Sequence, residues 1–295
     1  MPTVAAVIPV YNRFQYLEEC LASVLGQSRP PDEIIVVDDC SHTPVAEFLA
    51  RSRYGDQVKA LRTDRNRGSP GARNLGWRSA ESELIAFNDS DDVWRRDKLE
   101  RQLAHLQSRP ETSGVSSALE AFFPDGRTEI WAADRPASFA LSDSLIFSQL
   151  SVQSLLIRRD ALAAVGGFDE RFRNLQDWDL SIRLAQAGFR IDCMAGDRLV
   201  RLRRNDENLS GRPWRVLRYE TQLIRRHAAL LQQVFGRGAT RVQFGRALIR
   251  AGYRIRFSGR ATRAAARLLE WSAPGSALRI DGVRRDRLAG DAGKR

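Results

Sequence analysis

Cysteine and histidine are scarce: the 295 residues contain three of each, with the thiols at Cys20, Cys40 and Cys193. An odd number of widely spaced cysteines, with no CxxC and no histidine cluster nearby, argues against both a disulfide framework and a zinc site. Reduced thiols in or near the core are expected. No run approaches the ~20 apolar residues needed to cross a bilayer. The first hydrophobic segment, Met1 to Val10, is interrupted by Pro9 and lacks the basic stretch of a secretory leader, so a soluble protein is expected. No GxGxxG follows that segment, which disfavours ordinary dinucleotide binding. There is no internal repeat and no low-complexity block beyond an Arg/Ala bias near the end.

Acidic residues are nearly missing from the last part of the chain. Residues 1–211 carry 27 Lys+Arg against 31 Asp+Glu, whereas residues 212–295 carry 20 against 5. The overall charge of +11 therefore belongs to the tail. A boundary is expected near Gly211-Arg212-Pro213, giving a domain over 1–211 and a basic, mostly helical extension over 212–295.

The remaining 43% hydrophobic content is ordinary for a globular chain. Thr3–Val10, Glu33–Val37, Val58–Arg62 and Leu84–Phe87 read as buried strands. They alternate with helical patterns over Tyr16–Leu25, Gly71–Ser82 and Trp94–Gln107. That alternation predicts an α/β fold, a mostly parallel sheet flanked by helices, with ligands beyond the carboxyl ends of the strands. Val115–Trp131 reads as a hairpin around Pro124-Asp125-Gly126. Trp178–Ala187 reads as a helix closed by Gly188, followed by strands over Arg190–Met194 and Leu199–Arg203.

The polar clusters fall at the strand ends. Asp89, Asp91 and Asp92 place three carboxylates within four residues after Leu84–Phe87. They repel one another unless a hard divalent cation, which prefers oxygen ligands, neutralises them together with a substrate's phosphates. Helix N-capping explains one or two such acids, but not a strand-end Asp-x-Asp. Asp38 and Asp39 end the second strand, where an acid can accept from a ribose hydroxyl or base N–H, or form a turn with Ser41. Tyr11 and Asn12 leave the first strand as a ring and an amide suited to a nucleobase. Asn66-Arg67-Gly68 and Gly71-Ala72-Arg73-Asn74 supply glycines for close backbone approach and an arginine for phosphate or base.

Taken in order, Ile8–Arg13, Asp38–Ser41, Asn66–Asn74, Asp89-Ser90-Asp91, and Gly166-Gly167-Phe168-Asp169 followed by Gln176-Asp177-Trp178-Asp179 resemble an inverting glycosyltransferase of family 2, with a GT-A fold. The resemblance covers about residues 4–211. It implies a nucleotide-diphosphate sugar donor, with Pro9, Tyr11, Asn12, Asp38, Asp39, Asn66, Gly68, Arg73, Asp89 and Ser90 on the donor side. It further implies Mg²⁺ or Mn²⁺ held by Asp89 and Asp91, and Asp177 as general base, with Gln176 and Trp178 facing a hydroxyl acceptor. One carboxylate suffices as base, because the diphosphate departs without needing a protonated side chain. Asp179 is the next candidate for that role.

Two positions depart from the family pattern. Gln176 stands where Glu is common, and Asn205 stands where a late loop often has a histidine near the metal; Arg203 and Arg204 are the nearby cations, and that loop is read as a lid. A nucleotidyltransferase is disfavoured by the missing glycine-rich basic loop, and a catalytically silent sugar-nucleotide-binding protein by the retained acids. Nucleic-acid binding is disfavoured because the tail lacks interleaved aromatics. Leu217, Leu223, Ile224, Leu230, Leu231 and Val234 give the tail helical apolar spacing among arginines. The expectation is a cytoplasmic enzyme, peripheral on the inner membrane through contact of this tail with anionic lipid. The composition leaves open the alternative that these helices pack on protein.

Overall fold

The computed structural model describes residues 1–204 and 213–255, with side chains placed for 1–204 and 216–247. Asn205 and the expected boundary residues Gly211 and Arg212 lie outside the described residues. In chain order the elements up to residue 204 are β1 (Val4–Val10), α1 (Leu17–Leu25), β2 (Glu33–Asp38), α2 (Val45–Arg51), β3 (Lys59–Arg62), α3 (Gly68–Ser79), β4 (Leu84–Phe87), β5 (Val93–Trp94), α4 (Lys98–Ser108), β6 (Gly114–Phe122), β7 (Thr128–Trp131), α5 (Leu141–Ile146), β8 (Leu156–Arg158), α6 (Arg159–Ala164), α7 (Gln176–Gln186) and β9 (Ile191–Arg203).

All seven residues of β1 are buried, as expected of a strand covered on both faces. Val4, Ala6, Ile8 and Val10 join one apolar cluster with α1, while Ala5 and Val7 join another with α3, α6 and α7. The two-residue period of a strand makes this division. Each fully buried Val or Ile contributes about 1.5–3 kcal/mol. Gly76 lets α3 lie close to the sheet, since a Cβ there would sit 2.4 Å from Val7 Cγ1.

The sheet runs β3-β2-β1-β4-β8-β6-β9-β5, with β7 paired to β6. β3, β2, β1 and β4 are parallel; β8 is antiparallel to β4 and β6, and β9 is parallel to β6 but antiparallel to β5. The chain leaves β1 toward β2 and β3, then returns to place β4 on the other side. That reversal opens a crevice at the carboxyl ends of β1 and β4, where Tyr11-Asn12 and Asn88–Asp92 emerge.

Three expectations change. Trp94 belongs to β5, and α4 begins only at Lys98 because residues 93–94 pair with Val200 and Arg201 of β9. Helix α3 starts at Gly68, earlier than expected, because a positive φ of 75° there turns the chain into the helix. The two final strands are one strand, Ile191–Arg203, whose register against β6 shifts between Ser117 and Leu119.

The chain divides into compact units at Met1–Tyr219 and Glu220–Arg295. The later helices are α8 (Pro213–Arg226), α9 (Ala228–Phe235) and α10 (Ala239–Ile255). Leu223, Ile224 and Leu231 are buried, leaving Val234 as the exposed member of the expected apolar set. No described helix is long and apolar enough to cross a membrane.

Candidate active site

β4 delivers the acidic cluster to the crevice and the chain then turns, with Asp92 N–H donating to the Asp89 carbonyl at 3.1 Å. β5 separates these acids from α4, so helix capping does not account for them. One Asp89 carboxylate oxygen accepts from Arg73 Nη2, and the other accepts from Gln153 Nε2 at 2.9 Å. Asp91 keeps some solvent access and lies 3.6 Å from Arg13 Nη1. Burial, followed by repulsion from Asp89, pushes its carboxyl up to about 6. Asp92 is pushed well above the usual carboxylate range by burial, then by Asp89 and Asp91. Its Oδ1 accepts from Arg203 N–H at 2.9 Å, while its Oδ2 and the Asn88 Oδ1 are buried without a partner.

Among the described residues, no group of three or more His, Cys, Asp or Glu side chains is placed to hold a metal ion by itself. The carboxylate oxygens of Asp89 and Asp91 are hard donors of the kind a divalent cation takes when substrate phosphates and water complete its shell. Ser90 is buried in the same turn.

On the donor side, Tyr11 is 44% exposed at the mouth of the crevice. Asn12 adopts φ 54°, accepts from His42 N–H and donates its own N–H to Ser41 Oγ, both at 2.9 Å, tying the β1 and β2 exits together. Asp38 is buried and accepts from Ser41 N, Val45 N and Arg62, a set of partners that makes it a loop staple. Asp39 accepts from Thr63 Oγ1 and Arg67 N, and burial raises its carboxyl above the ordinary range. Pro9 is buried within β1. Asn66 accepts from Arg173 Nη1 at 3.2 Å, and a Cβ on Gly68 would lie 3.3 Å from the Arg173 side chain.

Asn74 on α3 donates to the Phe168 carbonyl at 2.8 Å and accepts from Phe168 N–H at 2.9 Å. Gly167 makes this seam possible: it has φ 74°, and a Cβ would fall 2.6 Å from Asn74 Oδ1. The seam leads into α7, which begins after Leu175 at φ 60° and presents Gln176 and Asp177 in its first turn. Asp177 is partly accessible, yet burial raises its carboxyl; Trp178 N–H at 2.9 Å, then Arg135 and Arg73, oppose that rise. Gln176 Nε2 donates to Ser69 Oγ at 2.9 Å, while its Oε1 is buried without a partner.

Arg73 is 3% exposed and joins the two carboxylate sites: it binds Asp89, its charge acts on Asp177, and its Nε and Nη1 have no hydrogen-bond partner. Two residues nominated from sequence do other work. The Trp178 ring is buried and its Nε1 donates to the Ser144 carbonyl at 2.6 Å, so it anchors α7 instead of offering a stacking face. Asp179 is fully buried and paired to Arg183 at 2.7 Å, which removes it as a substitute base. Arg135 and Gln153 carried no sequence signal, because neither lies in a motif and only the fold brings them to the site.

The chain is similar in sequence and fold to known proteins. The sequence matches Glycosyl transferase family 2 over residues 5–182. Glycosyltransferase TuaG of Bacillus subtilis, provisionally assigned to teichuronic acid biosynthesis, is 29% identical over 220 residues, covering 73% of this chain and 84% of TuaG. Amylovoran biosynthesis glycosyltransferase AmsB of Erwinia amylovora is 26% identical over 201 residues, 65% of this chain and 66% of AmsB. The S. aureus TarS 1–349 structure with UDP superposes with a TM-score of 0.65 at 18% identity, over 92% of this chain and 81% of that one. The shared fold is the GT-A type, and the family match spans more than half of the sequence: the chain belongs to glycosyl transferase family 2.

Proposed function

We propose that this glycosyltransferase moves a sugar, with inversion, from a nucleotide-diphosphate donor to a hydroxyl acceptor in bacterial cell-surface polysaccharide synthesis. The observation that carries the reading is Arg73, one buried cation paired to the Asp89 carboxylate whose charge also favours the ionised form of the partly accessible Asp177. Donor and base sites are thereby held in one electrostatic unit. The names of TuaG and AmsB supply the polysaccharide context.

In this reading Tyr11 and Asn12 flank the base and Asp39 the ribose. Asp89 and Asp91 would hold Mg²⁺ or Mn²⁺, which when bound supplies charge neutralisation and Lewis acidity at the diphosphate. Asp177 takes the proton of the acceptor hydroxyl as that oxygen attacks the anomeric carbon from the face opposite the leaving group. Gln176 Oε1, lacking a protein donor, accepts from a hydroxyl of the sugar or the acceptor. Arg135 and Arg73 favour the ionised form of Asp177.

A thermal-shift panel of UDP-, GDP- and dTDP-sugars with Mn²⁺ tests donor binding. A ligand at ~100 times its Kd adds ~2.7 kcal/mol and raises the melting temperature by ~5–11 °C for a domain of this size. UDP-sugars are the first choice, since TarS structures contain UDP and UDP-GlcNAc. No shift with any donor overturns the assignment.

Association with the cytoplasmic face of a membrane is a second part of the proposal. Because Leu223, Ile224 and Leu231 are buried, the contact is assigned to exposed Arg225, Arg237 and Arg241 rather than to apolar insertion. Each cation near anionic lipid contributes ~1 kcal/mol. Full-length protein should therefore co-sediment with phosphatidylglycerol vesicles at low salt and release at high salt. Equal binding to neutral vesicles, or no binding, rejects this.

A further inference from the structure

Between α5 and β8 the chain makes a short 3-10 turn, Val152–Ser154, to which neither the sequence motifs nor the proposed chemistry assigns a role. It is held from three sides. Trp94 Nε1 donates to the Gln153 carbonyl at 3.3 Å, Gln102 Nε2 donates to the Ser154 carbonyl at 2.7 Å, and Ser117 N–H donates to Ser154 Oγ at 3.2 Å. Lys98 explains the orientation of Gln102. Its buried Nζ donates to Gln102 Oε1 at 2.8 Å and lies 4.0 Å from the Trp94 ring centre, so the amide's donor end must face the turn. Just before the turn, Arg135 donates to Ser151 Oγ at 3.1 Å and to the Leu150 carbonyl at 3.4 Å. This clamp uses backbone and serine atoms and leaves the Gln153 side chain free to reach Asp89.

We infer that Gln153 is a positioning residue for donor binding: its amide, held on this clamped turn, fixes the Asp89 carboxylate from the side opposite Arg73. With donors on both oxygens, Asp89 has one defined rotamer facing the crevice. With Arg73 alone, the carboxylate can turn away and carry the arginine with it. The same turn anchors Arg135, whose charge acts on Asp177, so one element sets the geometry on both sides of the transfer. The inference rests on Asp89 belonging to the donor site.

The test is calorimetric titration of the full chain with UDP, GDP and dTDP in Mn²⁺, using Gln153→Ala and Gln153→Glu. Because Trp94 bonds the backbone carbonyl of Gln153, neither substitution touches the clamp, and the melting temperature of Gln153→Ala should stay near wild type. Gln153→Ala should weaken the nucleotide that binds wild type by ~10-fold, the lower range for loss of an outer partner of a ligand-holding group. Gln153→Glu, which sets a second carboxylate against Asp89, should weaken it further. Gln153→Asn, retaining a donor on a shorter arm, should fall between wild type and Ala. Affinities within twofold of wild type for Ala and Glu overturn the inference, as does a lowered melting temperature with unchanged affinity. If wild type binds none of the three nucleotides, the donor-site reading and this inference fall together.

Discussion

Asp177→Asn is expected to leave nucleotide affinity near wild type and to lower turnover by ~10²–10⁴-fold, the usual contribution of a positioned general base. The amide can preserve the contact with Trp178 N–H but cannot take a proton, so structure is retained while the chemical step is lost. No nearby acid substitutes, because Asp179 is buried against Arg183. Steady-state transfer to the acceptor, compared with nucleotide titration, separates the two effects. Since burial raises the carboxyl of Asp177, its base form disappears as pH falls through a value above the ordinary carboxylate range. Wild-type kcat/KM should therefore fall off on the acid side at a higher pH than a solvated aspartate would give. Normal turnover by the variant would remove Asp177 from the mechanism.

For Asp91→Asn the expected loss is in binding, on the order of 10²-fold or more for nucleoside diphosphate in Mn²⁺, since outer-shell changes alone cost 10–100-fold. Wild-type protein in chelator should show a similar loss, and chelator should add little to the variant. Folding is not the obstacle. The folded-state carboxyl at about 6 is raised above its ordinary value, so its ionised form destabilises the ligand-free protein at neutral pH and the penalty fades as pH falls through 6. Neutralising it should raise stability at pH 7 by on the order of 1–3 kcal/mol. Wild-type affinity that is unchanged by chelator, alongside a folded variant, rejects the cation assignment to Asp89 and Asp91.

The difference between Asp89 and its neighbours shows how repulsion is managed in one short turn. Asp89 is paired by Arg73 and Gln153, Asp92 takes a backbone N–H from Arg203, and Asp91 faces Arg13 at 3.6 Å, with its own backbone N–H and the Arg203 charge as lesser partners. Of the three, Asp91 is the one whose nearest side-chain cation stands off at 3.6 Å.

From the sequence alone came strands β1 to β4 and their order along the chain, whereas β5 and β8 were not legible. Continuous apolar runs such as Val4–Val10 and Ile34–Val37 can be satisfied only by burial on both faces of a sheet, and polar residues cannot continue them. That confined the chemistry to strand ends, where Tyr11, Asp39 and Asp89–Asp92 are found. Motif order was sufficient for the family. What the sequence could not supply was the division of labour within each motif. Asp38 and Asp39 are chemically alike and adjacent, yet alternate side-chain directions put Asp38 under Arg62 and two loop N–H groups while Asp39 meets α3. Trp178 and Asp179 follow the same rule on a helix, where neighbouring residues face different surroundings, so one anchors α7 and the other pairs with Arg183. Gln153 and Arg135 matter only through partners distant in sequence, such as Asp89 for Gln153, and no local spacing encodes such contacts. The same holds for the tail, whose apolar period is legible but whose burial of Leu223, Ile224 and Leu231 is decided by what packs against it. Periodicity depends on each residue's neighbours in the chain, whereas the partner of a buried polar group depends on which elements the folded sheet brings together.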